Sequence, residues 1–219
     1  MSAGPLDVRP VAVGPFQANC YLVRRGPDAI VIDPGAEPGR LASLLEAWEA
    51  EPRAILLTHA HVDHVGGVAE LVRRFALPVY LHPADAPLYR AAPEHAALFG
   101  IAVEPLPAPD EWLEHGERLS FGSIDLEVRH APGHSPGGVV FVARAEAFVG
   151  DCVFAGSIGR TDLPGGDTRT LLASIRKQIL SLPPDTALYT GHGPATTVAV
   201  EAATNPFLVR RQGQQGWLA

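Results

Sequence analysis

Three histidines and an aspartate follow one short apolar run directly. Residues 54–58 read Ala-Ile-Leu-Leu-Thr, which is typical of a buried strand, and the next six residues contain His59, His61, Asp63 and His64. Neutral imidazole and carboxylate are ligands that borderline divalent metals accept. His59 and His61 alternate, so both rings can face one ion from an extended loop. One ion cannot easily bind all four side chains, and the spacing therefore favours a pair of ions with further ligands from elsewhere in the chain.

Three further apolar runs stop in the same way, each at a His or Asp beside a glycine. These are His134 after the run at 124–130, Asp151 after 147–149 and His192 after 186–190. Ligand sites of open α/β sheets collect at the carboxyl ends of strands. The alternative to a metal site is that these are ordinary polar residues of loops. This alternative explains His192 taken alone better than it explains the dense group at 59–64. We therefore expect seven metal ligands at one sheet edge: His59, His61, Asp63, His64, His134, Asp151 and His192.

Strand-like and helix-like segments fill most of the sequence. Strands are predicted at 19–24, 29–33, 54–58, 79–81, 119–121, 124–130, 139–143, 147–149 and 186–190. Helices are predicted at 40–50, 65–76 and 168–182, at one or two short segments within 83–114, and from Pro194 onward. Strands in runs with helices outside them predict a layered α/β or α+β fold. No repeat or linker-like stretch interrupts the sequence, so we expect a single domain over residues 1–219.

Composition excludes several classes of protein. With 47% hydrophobic and 19% charged residues, the chain can bury a core of its own. Acidic residues outnumber basic ones by 24 to 17 and no basic run occurs, so no nucleic-acid partner is expected. Two cysteines are too few for a disulfide framework. No stretch has the apolar character of a leader or a membrane span, so we expect no membrane partner and a cytoplasmic location.

The ligand motifs resemble those of the metallo-β-lactamase superfamily. Residues 59–64 are similar to its H-x-H-x-D-H signature, and 132–138, 150–151 and 191–193 match its remaining motifs in order. The resemblance implies a four-layer αββα sandwich with the metals at one edge. It assigns one ion to His59, His61 and His134 and the other to Asp63, His64 and His192, with Asp151 as the bridge.

A narrower resemblance is to short, glyoxalase II-like hydroxyacylglutathione hydrolases. It rests on residues 156–167, 193–194 and 205–208. Conventional glyoxalase II enzymes continue into a longer helical region that contacts glutathione, which this sequence does not have, so the thiol half of the substrate stays open. Members that hydrolyse β-lactams usually have Cys or Ser where Asp151 stands, which argues against that activity.

The resemblance implies hydrolysis of a small-molecule acyl thiolester. Two divalent ions, with zinc expected and iron or manganese as alternatives, would lower the pKa of a shared water and supply a bridging hydroxide as the nucleophile. Asp63 and Asp151 would act in catalysis as ligands that hold this hydroxide. Because the hydroxide would be the nucleophile, no Ser, Cys or Lys nucleophile is required. The thiolate leaves without a strong general acid. The oligomeric state is left open.

Two other functions compete with this hypothesis. Persulfide dioxygenases resemble the same subfamily and bind one iron through two His and one carboxylate, here His59, His134 and Asp151. Because these three residues belong to the larger ligand set, the set does not separate the two activities. The stretches at 163–167 and 205–208 favour the hydrolase. A metal-holding module without turnover fits the complete ligand set poorly.

Several residues outside the seven are weaker candidates. Arg160 is predicted to contact a substrate carboxylate because it lies in the loop after Asp151, and the alternative is an ion pair with Asp162 or Asp167. Asp33 is expected in a turn, with a hydrogen bond to a metal-bound histidine as the alternative. Four further histidines are expected at the surface or satisfied in the interior, with a hydrogen bond to a metal ligand as the alternative for His82 and His130: His82, His95, His115 and His130. Three residues are candidates for the mouth of the site: Tyr89, Arg210 and Arg211.

Overall fold

Two six-stranded sheets and six helices make up the computed structural model, which describes residues 5–209. The first sheet contains, in spatial order, β1 (Asp7–Val13), β2 (Ala18–Arg25), β3 (Asp28–Ile32), β4 (Glu51–Leu56), β5 (Val79–Leu81) and β6 (Glu111–Trp112). The second part of the chain supplies β7 (Arg118–Phe121), β8 (Ile124–His130), β9 (Val139–Val142), β10 (Glu146–Gly150), β11 (Val153–Phe154), β12 (Ser157–Ile158), β13 (Ala187–Thr190) and β14 (Thr196–Thr197). The second sheet has the order β14-β13-β10-β9-β8-β7, and β11 and β12 form a separate hairpin.

The helices are short, and two other helical turns accompany them. They are α1 (Pro38–Ala47), α2 (Val62–Val65), α3 (Val68–Phe75), α4 (Ala86–Leu98), α5 (Thr168–Ser174) and α6 (Val198–Thr204). A 3₁₀ turn at Pro83–Asp85 precedes α4, and a π-helical turn at Ile175–Ile179 continues α5. Within residues 5–209, no helix has the length and apolar character needed to span a membrane.

Side-chain alternation divides the apolar residues among three layers of core. In β3, Ile30 and Ile32 face the second sheet, whereas Ala29 and Val31 pack against α1 and α3 on the other face. A third cluster fills the space between the second sheet and the helices α5 and α6. Both sheets are therefore covered on both faces, which confirms the four-layer αββα sandwich.

The strand directions bring the predicted ligand loops to one edge. Strands β3 to β6 run parallel to one another, and β13 runs parallel to β10, with β8 pointing the same way across the antiparallel β9. The two sheets meet at this edge, because the amide of Val139 donates to the carbonyl of Thr58 at 2.8 Å. The carboxyl ends of β4, β8, β10 and β13 therefore lie together.

Some element predictions are wrong at the boundaries. Strand β1 was not predicted, because an edge strand that carries Pro10 and alternates exposed with buried residues has no continuous apolar run. The one or two short helices predicted within 83–114 are confirmed as a 3₁₀ turn followed by one helix of 13 residues. No helix starts at Pro194, since β14 comes first and α6 begins at Val198 with Thr197 as its cap.

Two predicted helices are also interrupted. The helix predicted at 65–76 is split at Gly66 and Gly67, so that α2 ends at Val65 and α3 begins at Val68. The helix predicted at 168–182 changes to π geometry after Ser174. Asp167 caps the start of this helix, because its carboxylate accepts from the amide of Thr170 at 2.6 Å.

Candidate metal centre

The seven predicted ligands converge at the shared sheet edge. His59 and His61 follow β4, Asp63 and His64 lie on α2, and the other three follow β8, β10 and β13. The imidazole nitrogens of His61 (Nδ1) and His134 (Nε2) are 2.8 Å apart. At the other end of the cluster, His192 Nε2 lies 3.2 Å from Asp63 Oδ2.

Two groups of three ligands form within the cluster. The nitrogens of His59, His61 and His134 lie within 4.8 Å of one another, and so do ligand atoms of Asp63, His64 and His192. These are the two trios that the resemblance assigns to separate ions. Asp151 joins them, because its Oδ2 is 3.4 Å from the Nε2 atom of His134 and 3.6 Å from that of His192.

Hydrogen bonds at Nδ1 fix the orientation of four of the five imidazoles. His64 Nδ1 donates to a carboxylate oxygen of Asp33 at 3.1 Å, and His134 Nδ1 donates to the carbonyl of Arg160 at 2.8 Å. His192 Nδ1 donates to a backbone carbonyl at 3.2 Å. A ring that carries its proton on Nδ1 presents the lone pair of Nε2, and metal-binding histidines are held in this way by an oxygen acceptor. All three rings therefore turn Nε2 toward the centre of the cluster.

Thr58 holds the fourth ring. Its hydroxyl donates to Asp33 Oδ2 at 2.5 Å, so a lone pair of the same oxygen is left to accept from His59 Nδ1 at 3.0 Å. His61 differs from the other four, since its Nδ1 is the nitrogen that faces His134. His59 therefore presents Nε2 to the cluster, whereas His61, two residues later, presents Nδ1.

Three buried atoms of the cluster have no hydrogen-bond partner within residues 5–209. They are His59 Nε2, His64 Nε2 and Asp151 Oδ1. Buried polar atoms without a partner are costly, and a cation that accepts their lone pairs would remove that cost. The donor set of imidazoles and carboxylates, with its unpartnered atoms at the centre, therefore fits divalent cations.

Asp33 forms a further possible ligand group with His59 and His64, but both of its carboxylate oxygens already accept hydrogen bonds. Oδ1 accepts from the amide of Thr58 at 2.7 Å, and Oδ2 accepts from the Thr58 hydroxyl and from His64. Its φ of 51° puts it in the left-handed region, as expected for a turn. Both interpretations made from the sequence therefore apply to Asp33, which turns the chain and orients an imidazole.

The two halves of the cluster differ in charge. Burial and, to a smaller extent, the neighbouring imidazoles lower the pKa of His59 and His61, that of His61 to about 3. Burial alone would also lower the pKa of His64. The carboxylates of Asp63 and Asp151, together with that of Asp33 at Nδ1, outweigh the effect of burial and raise this pKa to about 10. His59 and His61 are therefore neutral and offer lone pairs, whereas His64 is a cation among carboxylates until a metal replaces its proton.

Asp85 connects two ligand loops and was not predicted. This fully buried carboxylate accepts from the amide of Ala60 at 3.0 Å, from the hydroxyl of Ser135 at 2.8 Å and from the amide of Gly137 at 2.6 Å. Ala60 lies between His59 and His61, and Ser135 follows His134, so one side chain fixes both loops. Burial raises the pKa of Asp85 despite these hydrogen bonds. The sequence offers no signal for this role, because Asp85 lies 25 residues from Ala60 and 50 from Ser135.

Two glycines allow the loops to approach closely. A Cβ on Gly191 would lie 2.0 Å from Asp151 Oδ1, and a Cβ on Gly35 would lie 1.5 Å from the carbonyl oxygen of Asp63. No side chain fits at either position. The absence of a side chain at Gly35 and Gly191 therefore leaves room for the ligand segments themselves.

The other candidates are distributed as follows. Arg160 is exposed and forms a bidentate pair with Asp162 at 2.7 and 2.8 Å, as the alternative interpretation expected. His82 and His130 stack on each other with ring centroids 4.0 Å apart. Tyr89 is buried in the core and is therefore not at the mouth of the site. The last two candidates, Arg210 and Arg211, lie outside the described residues.

Proteins with similar sequences identify the family of this chain. The model of the metallo-beta-lactamase superfamily matches residues 13–192. Hydroxyacylglutathione hydrolase GloC of Haemophilus influenzae is 38% identical over 208 residues, which cover 93% of this chain and 98% of that protein. The probable metallo-hydrolase YqgX of Bacillus subtilis is 41% identical over 208 residues, which cover 91% and 96% of the two chains.

Solved structures agree with these relatives. TTHA1623 in a di-iron-bound form is 52% identical, with a TM-score of 0.86 over 92% of this chain and 100% of that one. The BLEG-1 B3 metallo-beta-lactamase is 39% identical, with a TM-score of 0.88 over 93% and 100% of the two chains. The chain therefore belongs to the metallo-beta-lactamase superfamily and is a metallo-hydrolase of that superfamily.

Proposed function

We propose that this protein is a binuclear thiolester hydrolase, similar to hydroxyacylglutathione hydrolases. One ion would be held by His59, His61 and His134, and the other by Asp63, His64 and His192, with Asp151 between them. The observation that carries the proposal is the pair of ligand trios that share one carboxylate. The 38% identity to a hydroxyacylglutathione hydrolase supports the choice of substrate class.

The residues of the chain supply ligand charge and orientation. When bound, divalent ions supply a Lewis acid for the carbonyl and a water of lowered pKa. Asp63 and Asp151 offset part of the positive charge and keep the two trios close to each other. The Nδ1 acceptors of four imidazoles keep each Nε2 aimed at the centre, so the rings need no reorientation during the reaction.

The leaving group needs little help from the protein. A thiolate is stable near neutral pH, so its departure requires no strong general acid. We propose that Arg160 contacts a carboxylate of the substrate. Its carbonyl accepts from His134 Nδ1, which anchors its backbone beside the cluster, and its guanidinium is exposed. A substrate carboxylate would compete with Asp162 for this guanidinium.

Metal analysis together with an activity assay tests the proposal. We expect about two zinc ions per chain, and cleavage of S-lactoylglutathione without consumption of oxygen. One iron per chain with oxygen uptake on glutathione persulfide would contradict the hydrolase and support the dioxygenase. Because a matched structure is named a B3 metallo-beta-lactamase, a β-lactam is assayed in parallel, and we expect slower turnover than for the thiolester.

Substitutions of two ligands test the assignment of residues. We expect His134→Ala and Asp151→Ala to abolish thiolester hydrolysis while the protein stays folded, because each removes a ligand from the centre of the cluster. Asp125→Ala is the matched control, since in the described part of the chain the side chain of this exposed β8 residue bonds only to Ser120 on the adjacent strand. Turnover at the unmodified rate in either ligand variant would refute the assignment. Circular dichroism checks the fold of all three.

A further inference from the structure

A cavity of about 500 Å³ lies beside the second sheet, outside the metal centre. It is bounded by the carboxyl end of β8, by the loop that carries His115, and by α5 with the π-helical turn that follows it. Pro132 is the lining residue nearest in sequence to a ligand, two positions before His134. The proposed function makes no use of this cavity.

The lining of the cavity is basic in an acidic protein. Arg169 and Lys177 line it together with His115 and His130, and no carboxylate is among the lining residues. The whole chain carries a formal net charge of −7, and Lys177 is its only lysine. Positive side chains are thus concentrated at this cavity although the chain as a whole is negative. This local positive charge favours an anionic ligand.

The spacing along α5 and the π turn creates the opening. Arg169, Ala173 and Lys177 follow at intervals of four residues, so the short side chain of Ala173 lies between two long cations. Lys177 and Gln178 belong to the π-helical turn at Ile175–Ile179. Such turns are rare and are frequently found at functional sites.

Hydrogen-bond donors remain for a ligand. His115 Nδ1 accepts from the amide of His130 at 3.2 Å, so the neutral ring carries its proton on Nε2 and can donate it. Two nearby carboxylates are already engaged. Asp167 caps α5 through Thr170, and Glu127 forms an ion pair with Arg129 at 2.8 Å.

We propose that this cavity binds a small organic anion with two or more negative groups, either carboxylates or phosphates. Arg169 and Lys177 bind separate anionic groups of this ligand, and His115 donates a further hydrogen bond. An anion with two separated groups matches two cations eight residues apart better than a single compact ion does.

Titration followed by backbone amide NMR of the metal-loaded protein tests this proposal. The probes are glutarate, a dicarboxylate, and fructose 1,6-bisphosphate, a phosphate ester. We expect saturable shifts of the amides around 115, 130 and 169–178 with at least one probe, and the tighter probe identifies the anionic group. The double substitution Arg169→Gln and Lys177→Gln should weaken binding about tenfold or more, since two charge-assisted hydrogen bonds are lost.

Arg176→Gln is the matched control. It removes one positive charge from the same turn at an exposed residue that does not line the cavity, so binding should change little. All three side chains are exposed, so both proteins should fold, which a thermal melt checks. Shifts that map to residues 59–64 instead, shifts that never saturate, or equal affinity in the double variant would each overturn the proposal.

Discussion

Single carboxylates next to the metal ligands control how the imidazoles are presented. Asp33 receives the amide and hydroxyl of Thr58 together with His64 Nδ1, so one side chain orients His64 directly and His59 through Thr58. The strong acceptor at Nδ1 also raises the basicity of the opposite nitrogen. Two rings of the segment 59–64 are therefore aligned by a residue outside the seven predicted ligands.

Asp85 provides the residue-scale prediction. We expect Asp85→Asn to lower the free energy of unfolding by about 2 kcal/mol, because the amide replaces a charged acceptor of three hydrogen bonds with one oxygen and a donor group that faces other donors. Metal affinity should fall as well, since Ala60 and Ser135 carry the ligand loops. Chemical denaturation and a metal titration with a competing chelator measure the two effects.

Asp162→Asn is the control for this substitution. Asp162 is exposed and pairs only with Arg160 in the described part of the chain, so its loss should cost little stability. Unchanged stability and metal affinity in the Asp85 variant would contradict the role assigned to this carboxylate.

The sequence indicates candidate ligands, which the structure brings together, far more clearly than it indicates the residues that orient them. His59, His61, Asp63 and His64 are recognisable because ligand chemistry is concentrated in six positions after a strand. Asp85 carries no such signal, because its role arises only when the loops after β4 and β8 meet the 3₁₀ turn in three dimensions. The role of Thr58 has no sequence signal either, since a threonine at the end of a strand is common.

At the scale of elements, the carboxyl-terminal helix supports the loop beside the metal centre. The buried carboxylate of Glu201 in α6 accepts from the amide of Gly156 at 3.0 Å, and Asn205 donates to the carbonyl of Ser157 at 2.9 Å. Both bonds hold the β11–β12 hairpin, which leads directly to Arg160 and the carbonyl that orients His134. The motif at 205–208 therefore acts on the site through the hairpin.

Substitution of Asn205 tests this support. We expect Asn205→Ala to destabilise the protein by about 1–3 kcal/mol, because the carbonyl of Ser157 and the carboxylate of Glu201 lose a buried donor. Hydrogen exchange should accelerate most at residues 153–160. Thr204→Ala is the control, since this neighbouring hydroxyl is exposed and, among residues 5–209, bonds only to the carbonyl of Val200. Uniform acceleration over the whole chain would contradict a local role.

Sequence patterns predict the type of most elements but fail where tertiary contacts set the boundary. The continuous apolar runs of β3, β4 and β9 are predictable because both faces of these strands are buried. Strand β14 has only two residues and exists because it pairs with β13, so a helix starting at Pro194 was the wrong expectation. The π turn after Ser174 has no distinct sequence pattern either.

For the molecule as a whole, the candidate metal centre lies where the two sheets join. The predicted ligands come from β4 and α2 on one side and from β8, β10 and β13 on the other. The trio of Asp63, His64 and His192 spans both halves of the chain, and so does the trio that contains His134. We therefore propose that residues 1–219 act as one domain, since neither half holds a complete trio.

Removal of the metals should destabilise this whole domain. Ions that bind only the folded chain stabilise it by about 2.7 kcal/mol at a hundredfold excess over the dissociation constant. For a chain of this length, that corresponds to a fall in Tm of about 5–10 °C on chelation. Differential scanning calorimetry with and without chelator measures it. The chelator should have little effect on the double variant His64→Ala and His134→Ala, which lacks one ligand of each trio. An equal chelator-induced fall in that variant would mean that the stabilising ions bind elsewhere, because neither trio could then hold its ion normally.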